Sequence, residues 1–183
     1  ALDATRGVYL SGEGLPFTVL DGETAGARLT ADARAYRALG AAERVVLAGR
    51  LQLGTIFGAD AEELPPGSLF FSGGGGTVRG QPYQSLGGGP DGDADTGGLS
   101  FLGLSGELRV RTAGAFGVVA FADAGFVGRD SVLGQEGEWQ SGAGIGLRYD
   151  TGIGPIRLDL ATPVSGPGDN DGVEIYIGIG QAF

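Results

Sequence analysis

A chain of 183 residues with no Cys and no His has no disulfide framework, and it lacks the imidazole and thiolate that ordinary zinc sites and nucleophile–base pairs use. Its net charge of −10 argues against a nucleic-acid partner, which calls for clustered Lys and Arg. Gly is abundant at 39 residues, yet hydrophobic residues make up 42% and recur periodically, so disorder is not expected. No apolar run reaches the ~18 residues of a membrane helix, and no basic segment with an apolar core opens the chain, so no signal peptide is read there.

Period-two alternation runs from end to end. A first strand is expected from about Arg6 to Val19, followed by a turn at Asp21-Gly22-Glu23. The second sets Ala27, Leu29, Ala31, Ala33 and Ala35 against Arg28, Thr30, Asp32, Arg34 and Tyr36. Past Gly40-Ala41-Ala42, the third sets Val45, Leu47, Gly49, Leu51, Leu53 and Phe57 against Arg44, Arg50 and Gln52. No strand or helix pattern fits residues 58–97, which carry four consecutive glycines, Gly73 to Gly76, and the acidic run Asp91-Gly92-Asp93-Ala94-Asp95. A connection this long inside a compact chain is functional or disordered. Phe70, Phe71, Val78 and Tyr83 give it side chains to pack and Arg79 a charge to place, so an ordered loop is expected.

The fourth strand sets Leu102, Leu104, Leu108 and Val110 against Ser105, Glu107, Arg109 and Arg111. A tight turn near Thr112 to Ala115 leads to the fifth, with Val118, Ala120, Ala122 and Ala124 opposite Phe121 and Asp123. After a polar loop from Gly128 to Glu138, the sixth alternates Ala143, Ile145, Leu147 and Tyr149 with Gly142, Gly144, Gly146, Arg148 and Asp150. The seventh, beyond Gly152-Ile153-Gly154-Pro155, sets Ile156, Leu158 and Leu160 against Arg157 and Asp159. After a loop from Ser165 to Gly172, the last places Val173, Ile175, Ile177, Ile179, Gln181 and Phe183 on one face, opposite Glu174, Tyr176 and Gly178.

The strands approach the 9–11 residues that cross a tilted bilayer span, and tight turns tend to alternate with long loops. The face opposite the aliphatics carries charge in most strands. Together these point to an all-β, antiparallel transmembrane β-barrel with aliphatics outward and a polar lumen. Trp139, Tyr149 and Phe183 fall near strand ends, where aromatic girdles sit. A soluble β-sandwich or solenoid is the alternative, since half-buried antiparallel strands also alternate.

Other motifs carry less. Gly73 to Gly80 lacks the Lys-Ser/Thr ending of a phosphate loop. Asp91, Asp93 and Asp95 have calcium-loop spacing and are a weak metal candidate, but the closing glutamate of an EF-hand would fall at Leu102; a solvated acidic loop is the simpler reading. Asp169 and Asp171 read the same way. Arg148/Asp150 and Arg157/Asp159 are same-face neighbours, read as wall ion pairs rather than acid/base pairs. No catalytic residue and no cofactor are expected.

Phe70-Phe71-Ser72-Gly73-Gly74-Gly75-Gly76-Thr77-Val78-Arg79-Gly80 resembles the sixth extracellular loop of the Omp85 superfamily, whose signature is a Gly-rich run ending in Val-Arg-Gly plus an aromatic; here Gln81 stands at the aromatic's place, with Tyr83 two positions on. Leu2-Asp3-Ala4-Thr5-Arg6-Gly7, Gly154-Pro155-Ile156-Arg157-Leu158-Asp159 and Ile179-Gly180-Gln181-Ala182-Phe183 are also similar to the family, within it to the TamA-like proteins, and the likeness covers essentially the whole chain. The resemblance implies an integral protein of the Gram-negative outer membrane that inserts or translocates other outer-membrane proteins. Its partners would be lipid, lipopolysaccharide and client proteins. It implies that Val78, Arg79 and Gly80 fold inward so that Arg79 meets Glu107 and Asp123, both of lumen parity. It implies a lateral seam, with Ile175, Ile177, Ile179 and Phe183 as one lip and as an assembly signal. Family members have about 16 strands and upstream POTRA domains. Residues 1–183 would then be the C-terminal barrel region with its loop at 58–97 and no POTRA domain. The chain would then be part of a larger barrel, pair with a second copy of itself, or close alone as a minimal eight-stranded outer-membrane barrel, natural or engineered, with a structural or small-pore role and no assembly activity.

Overall fold

The computed structural model describes residues 3–19, 24–40, 42–112, 114–167 and 172–183. The turn at 20–23, Ala41 and Ala113 within their turns, and Asp169 and Asp171 lie outside the described residues. The alternating segments form eight strands: β1 (Arg6–Thr18), β2 (Ala25–Leu39), β3 (Val45–Phe57), β4 (Ser100–Arg111), β5 (Phe116–Gly128), β6 (Gly137–Tyr149), β7 (Ile156–Ser165) and β8 (Glu174–Ile179). Each pairs antiparallel with its neighbours in the chain, giving one sheet in the order β1 to β8.

Register keeps the two faces distinct. Arg34 stands opposite Arg50, Glu107 opposite Phe121 and Asp159 opposite Gly146, all on one face. On the other, Leu47 stands opposite Leu108, Val118 opposite Leu147 and Leu158 opposite Ile177. The charged face is the covered one: Glu107 and Asp123 are each 3% exposed, whereas Ile145 is 65% and Ile177 77% exposed on the aliphatic face. A soluble sandwich buries its aliphatic face against a second sheet. The described strands form a single sheet whose aliphatic face is bare.

The expectation of a closed β-barrel is corrected. Among the described residues no ladder joins β1 to β8, and the sheet is open at both edges. Among the described residues the flanking segments are linked by Gln181 Nε2, which donates to Asp3 Oδ1 at 3.1 Å, and through Arg109, which donates to the carbonyls of Ala4 and Phe183 at 3.5 and 3.1 Å. Two features oppose closure of these eight strands alone. A closed eight-stranded barrel has an interior that side chains just fill, whereas here the β3–β4 loop packs on the charged face. The candidate edges are also ill matched, 13 residues in β1 against 6 in β8.

The last strand is shorter than its alternation suggests. Gly180 adopts φ 90° and donates to Pro155 O, which ends β8 at Ile179. The alternation breaks there: Phe183 lies beside Tyr36 and Arg109 on the charged face, not in line with Ile175, Ile177 and Ile179. At the other extreme, β6 begins at Gly137, inside the stretch read as loop, because Gly137 and Glu138 continue the ladder with Gly128 and Val127.

The β3–β4 loop is ordered by two means. Short 3-10 turns at Ala61–Glu63, Pro66–Ser68 and Pro90–Gly92 shape its limbs. An apolar cluster of Leu64, Leu69, Phe70, Leu86 and Leu99 packs on Ile56, Phe101 and Val127 of the sheet. Isolated bridges pair Phe70 with Gly98 and Ser72 with Leu86, so the limbs leave and return side by side.

Candidate functional site

The loop tip is a tight coil that aims one side chain. Gly73 N–H donates to Thr77 Oγ1 at 2.8 Å, and Gly74 N–H to the carbonyls of Val78 and Gln81 at 3.1 and 3.0 Å. Gly73 sits at φ 112°, and a Cβ there would lie 2.2 Å from Pro82 O, so the fold of the coil requires glycine. Val78 is fully buried as a plug, and Arg79 follows it onto the charged face with 2% exposure.

There Arg79 meets two carboxylates. Its Nε and Nη2 form a fork on Asp123, at 2.7 and 3.0 Å, and its backbone N–H donates to Asp123 Oδ2 at 3.1 Å. Its Nη1 donates to Glu107 Oε1 at 2.6 Å and lies 3.5 Å from Asp159 Oδ2. The guanidinium carbon stacks 3.6 Å from the centre of the Phe121 ring, a cation–π contact on the face left free by the fork. Burial alone would favour losing the proton; the hydrogen bond to Asp123 and the charges of Asp123 and Glu107 outweigh it and hold the pKa above the ordinary arginine value. Such planar bidentate pairing is the arrangement in which a buried guanidinium is best satisfied.

The carboxylates are themselves shared. Arg109 Nε donates to the second oxygen of Glu107 at 2.8 Å. Arg148 bonds Asp159 across the β6–β7 ladder and Gln181 through its Nε at 2.8 Å. The same-face pair expected between Arg148 and Asp150 does not form. Asp150 lies beyond β6, and Gly146 opposite Asp159 leaves the space into which Arg148 and Asp159 reach. A Cβ on Gly146 would fall 2.0 Å from Asp159 Oδ1. Arg157 stands 4.0 Å from Asp159.

Several participants escape a reading of single strands. Gly142 lies under the loop, where a Cβ would be 2.0 Å from Arg79 O. Tyr176 of β8 accepts the Gly80 N–H at 3.0 Å. Gln81 is buried and donates to the carbonyls of Ser141 and Ser165 at 2.8 and 3.0 Å. A second anchor holds the loop nearer β2 and β3: Arg50 bonds Asp32 at 2.6 Å and Gly76 O at 3.3 Å. The signal for Gly142 and Gly146 was present as a row of glycines on the charged face of one strand. Nothing short of the cross-strand register singles out Tyr176, while Gln81 stands out in the sequence only as the residue at the aromatic's place in the loop motif.

Of the other candidate residues, Asp91, Asp93 and Asp95 do not converge. Asp93 Oδ1 accepts the Asp95 N–H, and among the described residues no group of three or more acidic side chains could hold a metal ion. Ile175, Ile177 and Ile179 share the bare face of the edge strand, apart from Phe183.

An open antiparallel sheet with bare aliphatics, covered charges and a loop anchored on the charged face has the inverted polarity of an outer-membrane protein. The Omp85 superfamily domain matches residues 1–183, and the chain belongs to that superfamily, whose members are insertases and translocases of the Gram-negative outer membrane, not catalysts. A crystal structure of BamA from Haemophilus ducreyi lacking POTRA domains 1–3 is similar with a TM-score of 0.68 at 20% identity, over 94% of this chain and 37% of that one. At that identity the likeness speaks for the fold alone, and this chain spans little more than a third of the BamA chain.

Proposed function

We propose that this chain works in the insertion or translocation of outer-membrane proteins, with residues 1–183 acting as one membrane-embedded unit and the Arg79 loop as its internal lock. The observation that supports this is the buried engagement of Arg79 with Glu107 and Asp123 in a chain of the Omp85 superfamily. The aliphatic face meets lipid and lipopolysaccharide; the loop and ion network face away from it. Backbone edges cannot stay unpaired in hydrocarbon, so β1 and β8 take further strands there, and Ile175, Ile177, Ile179 and Phe183 belong to the seam and to the assembly signal at β8. The clients are other outer-membrane proteins, handled without covalent chemistry or a cofactor.

The test is reconstitution of the intact protein into liposomes with an unfolded outer-membrane client, the folded fraction being followed over time by gel mobility without heating. Folding faster than in empty liposomes, and slowed by Arg79→Ala, is the expected result. Equal rates with and without the protein would remove the assembly role.

A further inference from the structure

The β6–β7 ladder slips once. Gly142 pairs with Pro163, but Ser141 pairs with Ser165, so Val164 is an extra residue on β7. The slip begins at Pro163, which has no N–H to give a ladder and is tolerated in sheets at edges and bulges. Just beyond it, the carbonyls of Ser141 and Ser165 accept from one side-chain amide, Gln81 Nε2, while the two serine hydroxyls bond each other at 2.7 Å. Gln81 is 2% exposed. Its neighbours close the pocket: Ser85 Oγ donates to Gln140 Oε1 at 3.1 Å, and a Cβ on Gly166 would lie 2.9 Å from the Gln140 side chain and 3.4 Å from Gln81 Nε2. Tyr83, the nearest aromatic in the loop, is 80% exposed and fills none of this space.

We propose that Gln81 is a positioning residue that clamps the loop tip to the β6–β7 bulge, a second lock separate from the Arg79 fork. The chemistry is specific. A primary amide has two hydrogens on one nitrogen and so satisfies two converging carbonyls. A carboxylate of the same shape has none and would set its charge against them. A hydrocarbon would leave both buried carbonyls unpaired, which is unfavourable. The bulge thus serves as a receptor for the loop, and the loop is held at β4–β5 by charge and at β6–β7 by a neutral amide. The clamp deepens the assembly reading by naming what holds the loop in place.

The chain has no native cysteine, so Tyr83→Cys gives a single attachment point for a spin label. Label mobility in the intact, membrane-embedded protein is compared for Gln81, Gln81→Glu and Gln81→Leu at pH 8 and pH 4.5. Titratable groups face the loop from the strands it packs on: Asp32 on β2, which holds Arg50 of β3 against Gly76 O, Glu107 on β4, Asp123 on β5, Glu138 on β6, Asp159 on β7, and Glu174 and Tyr176 on β8. The parent protein at both pH values accounts for them. The clamp requires the same label mobility in the parent at both pH values and a label severalfold more mobile than the parent's in Gln81→Leu at both. In Gln81→Glu it requires a label more mobile than the parent's at pH 8 and a partial return toward the parent at pH 4.5, where the single O–H of the protonated acid again donates to one of the two carbonyls. Reversal by pH within one folded sample separates loss of the clamp from misfolding. A label no more mobile in Gln81→Leu than in the parent would overturn the proposal. Failure of client folding by the parent protein would remove the assembly reading and leave the clamp standing.

Discussion

Arg79 is satisfied only as a member of a set. Asp123 takes three of its donors and Glu107 a fourth, while Glu107 also holds Arg109. Removing one partner from a buried ion pair strands the others, at a typical cost of about 3–5 kcal/mol. Arg79→Ala is therefore expected to lower the thermal midpoint of the folded protein in detergent, seen as loss of the compact gel band on heating. Arg79→Lys should recover little of it, since an ammonium can neither span the fork nor stack in the same plane on Phe121. Asp123→Ala should cost more than Glu107→Ala from the count of donors lost, and Arg79→Ala should add little on top of Asp123→Ala, because the two act as one unit. An additive double variant would mean that the fork contributes little.

Elements are where register decides what a residue meets. Gly106 and Gly146 both sit within strands but on opposite faces: a Cβ on Gly106, on the aliphatic face, meets nothing within 4 Å, while one on Gly146, on the charged face, would collide with Asp159 and Arg148. Gly146→Ala is expected to loosen the loop and Gly106→Ala to leave it unchanged. Tryptic cleavage after Arg79 reports the difference, because that bond is protected only while Arg79 is buried. The same contrast explains what could be read in advance. Strand number, strand faces and the inward parity of Arg109, Glu107 and Asp123 follow from period two alone. Arg148 pairing with Asp159 rather than Asp150, the stacking of Arg79 on Phe121, and the contacts of Tyr176 and Gln81 depend on how strands distant in the chain align. Alignment is set by turns and bulges as much as by alternation. The Phe183 misreading has one local cause: Gly180 at positive φ turns the chain after Ile179, so parity cannot be carried past it.

At the scale of the whole molecule, the decisive property is which face water avoids. Two aromatic pairs bracket the aliphatic face of β5 and β6: Phe126 with Trp139 at one end, ring centres 5.4 Å apart, and Phe116 with Tyr149 at the other, 5.1 Å apart. From Trp139 to Tyr149 the strand runs about 34 Å at ~3.4 Å per residue, or about 26 Å along the normal when tilted by ~40°, close to the ~25 Å apolar band of outer-membrane proteins. This match sets a depth scale that a substitution series can read. Ile145 lies between the girdles and is 65% exposed, so Ile145→Arg is expected to destabilise the protein folded in lipid vesicles by about 2–4 kcal/mol, as found for arginine near a bilayer midplane. Phe116→Arg, at the girdle, should cost the charge term of only about 0–1 kcal/mol, beyond its lost ring contact. Ile153→Arg, in the β6–β7 turn and 70% exposed, should cost nothing measurable. Reversible urea titration in vesicles gives all three values. A flat series, with Ile145→Arg no worse than Ile153→Arg, would place the aliphatic face in water or against another protein surface instead of hydrocarbon.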